Sequence, residues 1–353
     1  KAAQELIESA NALLAAVSTE KLELESITRP VAVVPENPQQ LILAYSNALL
    51  EQARENPKIV ALDADLILDT GLIPFQKKFP DRFIECGIAE QDMVSQAGGM
   101  ALKGLLPIVH SFACFLSARP NEQIYNNATE HTKIIYVGSL AGLLPGGPGH
   151  SHQAVRDISA LAAIPELVIM EPCCETEVKL LLDWAIKQNS GSSYLRLVSV
   201  PWPVEYTLPL DYYPEIGKGI TLLDGTDGAL LTYGPVMLSE GIKAAAELKA
   251  KYGFSLKVVN MPWLNRLDLE WLQDDLTGIS TIVTIDNHYF EGGLGQRVQT
   301  ALFDRKFSSV KSFVHLAPNG IPVYGSVQDV LQHHGLDQTG IIKRITAVFS
   351  TGF

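Results

Sequence analysis

The sequence predicts an α/β protein of two consecutive domains, each with a mainly parallel sheet covered by helices. Three observations carry that prediction. Short β-forming runs around Phe83, Ile108, Ile134, Val168 and Leu195 alternate with stretches of helical periodicity, the pattern of a parallel sheet under helices. A loop-rich stretch over 201–214, punctuated by Pro201, Pro203, Pro209 and Pro214, then breaks the alternation. Beyond it a second β–α–β series begins. A chain of 353 residues with 47% hydrophobic content is large enough for two such cores.

Taken in order, 1–37 reads as a terminal helix and a linker. An amphipathic helix runs over 2–17, followed by a polar segment bearing Pro30 and Pro35 and ending at Pro38. The chain opens on Lys1 with that helix already running, which suggests that the natural polypeptide begins upstream. The first domain is expected over 38–205. It starts with a helix at 38–56, with Leu41, Leu43, Leu49 and Leu50 among its apolar positions, then a short buried strand at 58–62 leading into Asp63-Ala-Asp65. A strand through Phe83 and Ile84 stops at Gly87, and Ala89, Met93, Ala97 and Met100 recur at helical spacing. The second domain is expected over 215–353. Its strands fall at 229–233, 256–259, 281–285 and near 310–315, with helices at 237–251, near 267–275 and after Gly295. No internal repeat of solenoid period is visible.

Charge and cysteine usage exclude several classes. A net charge of −12 with no basic run argues against nucleic acid or an anionic membrane as partner. No apolar run reaches the roughly 18 residues of a membrane span, and no signal peptide is visible. Cys86, Cys114, Cys173 and Cys174 form neither a CxxC pair nor a framework spacing, so they read as reduced thiols of a cytoplasmic protein.

The chemistry centres on Asp81-Arg-Phe-Ile-Glu-Cys-Gly-Ile-Ala-Glu-Gln-Asp-Met93, where a strand turns into a helix at Glu90. A carboxylate beside Ile88, Ala89 and Met93 is partly desolvated in a compact fold. Desolvation raises its pKa and lets it hold or donate a proton near neutral pH. The competing explanation is an ordinary acid at a helix start, favoured by the macrodipole. This segment resembles the activating-glutamate segment of transketolases, which use thiamine diphosphate. Related segments occur in deoxyxylulose-phosphate synthases and in the beta subunits of 2-oxoacid dehydrogenases. The resemblance runs from about 38 to about 345 and implies a transketolase pyrimidine-binding domain followed by a transketolase C-terminal domain. It implies that Glu90 hydrogen-bonds a ring nitrogen of the cofactor's aminopyrimidine and drives the imino tautomer that activates the thiazolium carbon.

Further motifs support that resemblance. In His110-Ser-Phe-Ala-Cys-Phe-Leu-Ser-Ala-Arg119, Phe112 and Phe115 are three apart and share a face on a helical turn. A flat heteroaromatic ring needs such a stacking partner, although core packing is the common use of a Phe pair. The resemblance implies that Phe115 stacks on the pyrimidine and Phe112 flanks it; Ala118 stands where relatives often carry a tyrosine. Arg119 fits a carboxylate partner, a neighbouring chain or a solvated surface. Gly142-Leu-Leu-Pro-Gly-Gly-Pro-Gly-His-Ser-His-Gln153 is a glycine- and proline-rich loop between a strand ending near Gly138 and a helix expected from Gln153. It resembles dehydrogenase beta subunits as much as transketolases. His152 matches a histidine near the reacting carbon, suited to proton transfer, and His150 is close enough to assist. The two could instead ligate a metal, but no third ligand is evident nearby, or both could be loop histidines in water. Asp65 matches an aspartate on the thiazolium side; a turn cap explains it equally well. Asp286-Asn-His-Tyr-Phe-Glu-Gly-Gly-Leu-Gly295 lacks the third glycine of a dinucleotide fingerprint and reads as close packing at a helix start, near a domain or subunit contact.

No Gly-Asp-Gly occurs in the chain. In this family that motif anchors Mg²⁺ or Ca²⁺ and the diphosphate in a separate domain. The resemblance therefore implies a partner, either a diphosphate-binding subunit or an N-terminal segment, and a dimer or heterotetramer; no metal ligand is assigned within this chain. It implies transfer of a two-carbon ketol from a ketose-like donor. A beta-type component passing an acyl or ketol group from a 2-oxoacid to a lipoyl or carrier-protein arm is the alternative. A scaffold subunit is a third, disfavoured by Glu90. The residues that grip a sugar phosphate in transketolases align here with Leu43, Asp69, Leu140 and Ser199, and a hydroxyl-reading aspartate aligns with Pro148. Leucines donate no hydrogen bond and Asp69 repels a dianion, so a non-phosphorylated or tethered substrate is expected. His150, Asp69 and Arg196 remain the substrate candidates.

Overall fold

The computed structural model describes residues 2–24, 36–304, 307 and 309–350. The chain divides into two compact units, 1–34 and 35–353. The first contains helix α1 (Ala2–Leu14), with no buried side chain. Asn11 brackets Leu22 with two side-chain bonds to its backbone, at 2.9 and 2.7 Å. Pro30 and Pro35 of the expected linker lie outside the described residues.

The second unit opens with α2 (Leu41–Glu55), β1 (Ile59–Asp63), α3 (Ile73–Lys78), β2 (Phe83–Glu85), α4 (Glu90–Leu102) and β3 (Leu106–Phe112). It continues through α5 (Ala113–Ala118), α6 (Asn121–Thr129), β4 (Ile135–Ser139), α7 (Asp157–Ala162), β5 (Val168–Met170), α8 (Glu175–Lys187) and β6 (Ser193–Leu197). Six strands pair in the order β2-β1-β3-β4-β6-β5, all parallel. Every residue of β1, β3, β4 and β6 is buried, as expected of a sheet covered on both faces. Because all strands run one way, their C-terminal ends share one edge. Asp63 registers with Glu85 and with His110, and Phe112 with Ser139. Loops leaving that edge carry most of the chemistry-bearing residues, as open parallel sheets generally arrange it.

A second sheet follows from β7 (Ile220–Leu223), β8 (Gly228–Thr232), α9 (Pro235–Tyr252), β9 (Leu256–Asn260), α10 (Leu269–Asp275), β10 (Thr281–Ile285), α11 (Leu294–Asp304), β11 (Ser312–Leu316), α12 (Val327–His334) and α13 (Gln338–Ser350). Its order is β11-β10-β8-β9-β7, parallel except for the pairing of β7 with β9. Sequence reading placed no strand at β7. This half-buried edge strand of four residues has too short a pattern to stand out. Likewise the sequence pattern predicts no helix at α12, although Ser326 and Asp329 form a capping box at its start.

Buried polar contacts fasten the two sheets. Arg196 on β6 bonds Asp157 through Nε at 2.7 Å and Nη2 at 3.1 Å, Asn287 at 3.1 Å, the Ala154 carbonyl at 3.3 Å, and Glu171 through Nη1. Asn287, beyond β10, returns a bond to Glu171 at 3.0 Å. Burial pushes the Glu171 carboxyl up to about 7, with Arg196 opposing and Asp157 reinforcing. Gly234 of the second sheet lies against Glu171 so closely that a Cβ there would sit 2.1 Å from Oε1. Among the described residues no helix is long and apolar enough to cross a membrane. All four cysteines are free.

Candidate active site

Glu90 is the first residue of α4, set there by the turn that leaves β2. Gly87 takes φ +68°, and its N–H donates to the Glu85 carboxylate at 2.8 Å. Ile88 points outward at 73% exposure, so burial of Glu90 comes from other neighbours, including the fully buried Met93. Glu90 itself is 2% exposed. Its Oε1 accepts from Arg119 Nη1 at 2.6 Å and from Ser111 Oγ at 3.4 Å. Burial of the carboxylate is thus joined by a counter-charge, the Arg119 guanidinium.

Arg119 extends back from the end of α5, and its Cζ lies 3.9 Å from the Phe115 ring centroid. The guanidinium thus touches a carboxylate at its edge and an aromatic ring at its face. Phe112 ends β3 and caps α5, with its ring 5.7 Å from that of Phe115. The His152 imidazole meets both edge-on, at 5.8 Å from Phe112 and 5.2 Å from Phe115. Glu90 at the start of α4, Phe115 in α5 and His152 in the loop after β4 follow three different strands, yet form one cluster.

His152 belongs to the long loop after β4. No helix starts at Gln153; α7 begins at Asp157, and the buried residues 153–155 before it make other contacts. Gln153 donates to the carbonyls of Leu143 at 2.9 Å and Val323 at 3.0 Å. Tyr289 N–H donates to the Val155 carbonyl at 2.8 Å. Gly142 and Gly146 leave no room for a side chain: a Cβ would meet Asn287 at 2.6 Å and Val330 at 2.5 Å. The second sheet's elements therefore shape this loop. Within it His152 Nδ1 lies 3.0 Å from Ser151 Oγ, while His150 and Pro148 are exposed. Among the described residues no group of three or more His, Cys, Asp or Glu is placed to hold a metal ion.

Asp65 is exposed in the loop after β1, at φ +60°, with its N–H donating to Glu85 at 2.9 Å. The turn cap suggested for it is made by Asp63 instead, which accepts from Leu66 N–H at 2.6 Å and Thr70 Oγ at 2.9 Å. Burial pushes the Asp63 carboxyl up to about 6. Next to it, buried His110 bonds Tyr45 Oη at 2.6 Å and the Leu62 carbonyl at 3.0 Å. Burial holds this imidazole down to about 4, hence neutral. On the same edge lies a groove of about 320 Å³ lined by Leu41, Leu43, Leu68, Ile73, Pro74 and Ser199 among others. Asp69 is exposed beside Leu68, and Ser199 Oγ accepts from Leu140 N–H at 2.9 Å. Leu43 and Ser199 thus line one largely apolar groove, with the Leu140 backbone bonded to Ser199.

Arg196 requires a correction. It was a substrate candidate, but it is 0% exposed and all five of its N–H donors are engaged inside the protein. Its role is to join the domains. The partnership of Arg119 with Glu90 was open in the sequence, since 29 residues separate them and no local pattern links them. The Arg196–Asp157–Glu171–Asn287 cluster left no sequence signal for the same reason.

Comparison with known proteins places these features among relatives. The model described as "Transketolase, pyrimidine binding domain" matches residues 38–198, and "Transketolase, C-terminal domain" matches 217–341. The chain is 31% identical over 303 residues to the "Putative transketolase C-terminal section" of Methanocaldococcus jannaschii, covering 85% of this chain and 93% of that one. It is 30% identical over 308 residues to "1-deoxy-D-xylulose-5-phosphate synthase" of Clostridium acetobutylicum, covering 86% of this chain and 48% of that one. The solved structure "Split gene transketolase, inactive beta4 tetramer" superposes with a TM-score of 0.76 at 29% identity, covering 88% of this chain and 98% of that one. The chain spans about half the length of the curated synthases it matches.

Proposed function

The chain belongs to the transketolase family, and on that premise we propose that it is the pyrimidine-binding and C-terminal part of a thiamine diphosphate-dependent, transketolase-like transferase of two-carbon ketol units. The observation that carries this reading is the buried Glu90 carboxylate facing a planar cation that rests on Phe115. An acid at one edge and an aromatic plane at one face is what an aminopyrimidine requires, so the residues fit the cofactor. When bound, thiamine diphosphate supplies a carbon nucleophile for attack on a carbonyl.

In this reading Glu90 holds and moves a proton at a pyrimidine ring nitrogen. Phe112 and Phe115 seat the ring, and Asp65 lies toward the thiazolium side. His152, edge-on to both phenyl rings, exchanges a proton with a substrate oxygen, with His150 close in sequence on the same loop. A partner subunit or a preceding segment supplies the metal and diphosphate anchor. The missing Gly-Asp-Gly supports this, as do relatives described as a C-terminal section and as a split-gene transketolase. The assembly is a dimer or heterotetramer with its site completed by that partner.

The distal end of the substrate carries no sugar phosphate. Leu43 and Ser199 line an apolar groove and Asp69 adds a negative charge beside it, where a dianion would need charge-assisted donors. Donor assays on the completed enzyme test this: xylulose 5-phosphate and fructose 6-phosphate against unphosphorylated ketoses and 2-oxoacids. Turnover of unphosphorylated ketoses is expected. Efficient use of either sugar phosphate would overturn the distal-end assignment, and exclusive use of 2-oxoacids would favour a dehydrogenase-like beta component.

A further inference from the structure

Among the described residues two arginines form ion pairs with carboxylates, and they are built differently. Arg196 is 0% exposed with five donors engaged. Arg119 has its side chain 37% exposed and, among the described residues, one side-chain hydrogen bond, to Glu90 at 2.6 Å. Its remaining anchor is the Phe115 face, 3.9 Å from Cζ. The first is a permanent strut. The second has the construction of a contact made to be exchanged: a long side chain, one charge-assisted bond, one stack, and open access to water.

Glu90 explains why such a contact is needed. A carboxylate that is 2% exposed is costly without a counter-charge. A guanidinium is flat and delocalised, donates N–H at its edge and stacks by its face. A pyrimidine that shares a ring-nitrogen proton with a carboxylate while lying on a phenyl ring offers the same edge and the same face. On this chain those two positions are already filled by Arg119.

We propose that Arg119 holds the place of the cofactor's pyrimidine ring, pairing with Glu90 and covering Phe115 until the ring displaces it. This rests on the assignment of Glu90 and Phe115 to the pyrimidine. Arg119 is then a residue that sets cofactor affinity. Binding is an exchange, so the hold of Glu90 and Phe115 on the ring is offset by their hold on the guanidinium it replaces. The released guanidinium needs no new pocket, because it already reaches solvent.

The test uses the completed enzyme, this chain with its diphosphate-binding part, titrated calorimetrically with thiamine diphosphate and Mg²⁺. Arg119→Ala removes the competitor and tightens cofactor binding about tenfold, the scale of one partly exposed charge pair and one cation–π contact. In that variant, added guanidinium chloride at roughly tens of millimolar refills the place and weakens cofactor binding again. The wild type, whose place is filled, shows a smaller response. Arg119→Lys keeps the charge but not the plane, and binds cofactor about threefold more tightly than wild type. Unchanged or weaker cofactor binding in Arg119→Ala, or no guanidinium response, overturns the proposal. If that variant does not fold, Arg119→Lys decides, and absence of tightening overturns it. Glu90→Gln separates the two assignments. If it retains wild-type affinity and turnover, the pyrimidine assignment fails. If it loses turnover while Arg119→Ala shows no tightening, only the role of Arg119 fails.

Discussion

Replacing Glu171 by Gln tests the electrostatics of the domain junction. Arg196 carries one positive charge and faces two carboxylates, Asp157 and Glu171, all fully buried. With both acids ionised the trio has net charge −1; protonating Glu171 makes it neutral, in line with its rise from 4.5 to about 7. The folded state thus holds this proton over a range where the unfolded chain has released it. The linkage slope is then negative: stability is fully present below the unfolded value and is lost as pH rises towards about 7. Holding the proton from the ordinary carboxyl range up to about 7 corresponds to a loss on the order of a few kcal/mol. Gln cannot titrate, so it lacks that loss. It carries a fixed cost of about 1–3 kcal/mol, because its amide N–H₂ replaces an oxygen facing Arg196 or Asn287. The variant is expected to be clearly weaker at about pH 5 and close to wild type at about pH 8. Urea midpoints across that range, at fixed ionic strength, measure the difference. Two parallel pH profiles would refute the assignment of the proton to Glu171.

Glu90→Gln on the completed enzyme is expected to fold normally and lose roughly 10²–10⁴-fold in turnover, read from steady-state kinetics and a matching thermal melt. Gly234→Ala combines a φ of +73° with a Cβ 2.1 Å from Glu171 and is expected to cost at least about 2 kcal/mol, seen as a lowered melting temperature. The chain without a diphosphate-binding partner is expected to bind thiamine diphosphate more weakly than micromolar; tighter binding by calorimetry would show that the anchor lies within it.

How much could be read in advance follows from the range of each interaction. β1 and the first half of β3 announce themselves as short apolar runs, because both faces of a parallel sheet are covered. The strand-to-helix turn at Glu90 and the neighbouring placement of Phe112 and Phe115 are legible because each sits in a contiguous motif. The partner of Arg119 is not, since the pairing spans α4, β3 and α5. Arg196 illustrates the opposite error. Its charge suggested a ligand, but only the fold reveals that Asp157 and Asn287, 39 residues before it and 91 after, have claimed its donors. Asp63 and Asp65 differ by two positions, and only backbone geometry assigns the cap to the first.

The loop that carries His152 has its floor in one sheet and its walls in another. Asn287, Val323 and Val330 of the second sheet's half press on it, and Gly142 and Gly146 are the concessions it makes to them. The two halves are thus one heritable module. A chimera that grafts 38–198 onto a relative's remaining half changes the mould in which the loop is cast, and with it the pose of the imidazole, without altering a residue of the loop. On the role proposed for His152, altering substrate choice therefore starts with the face that the second half turns toward that loop.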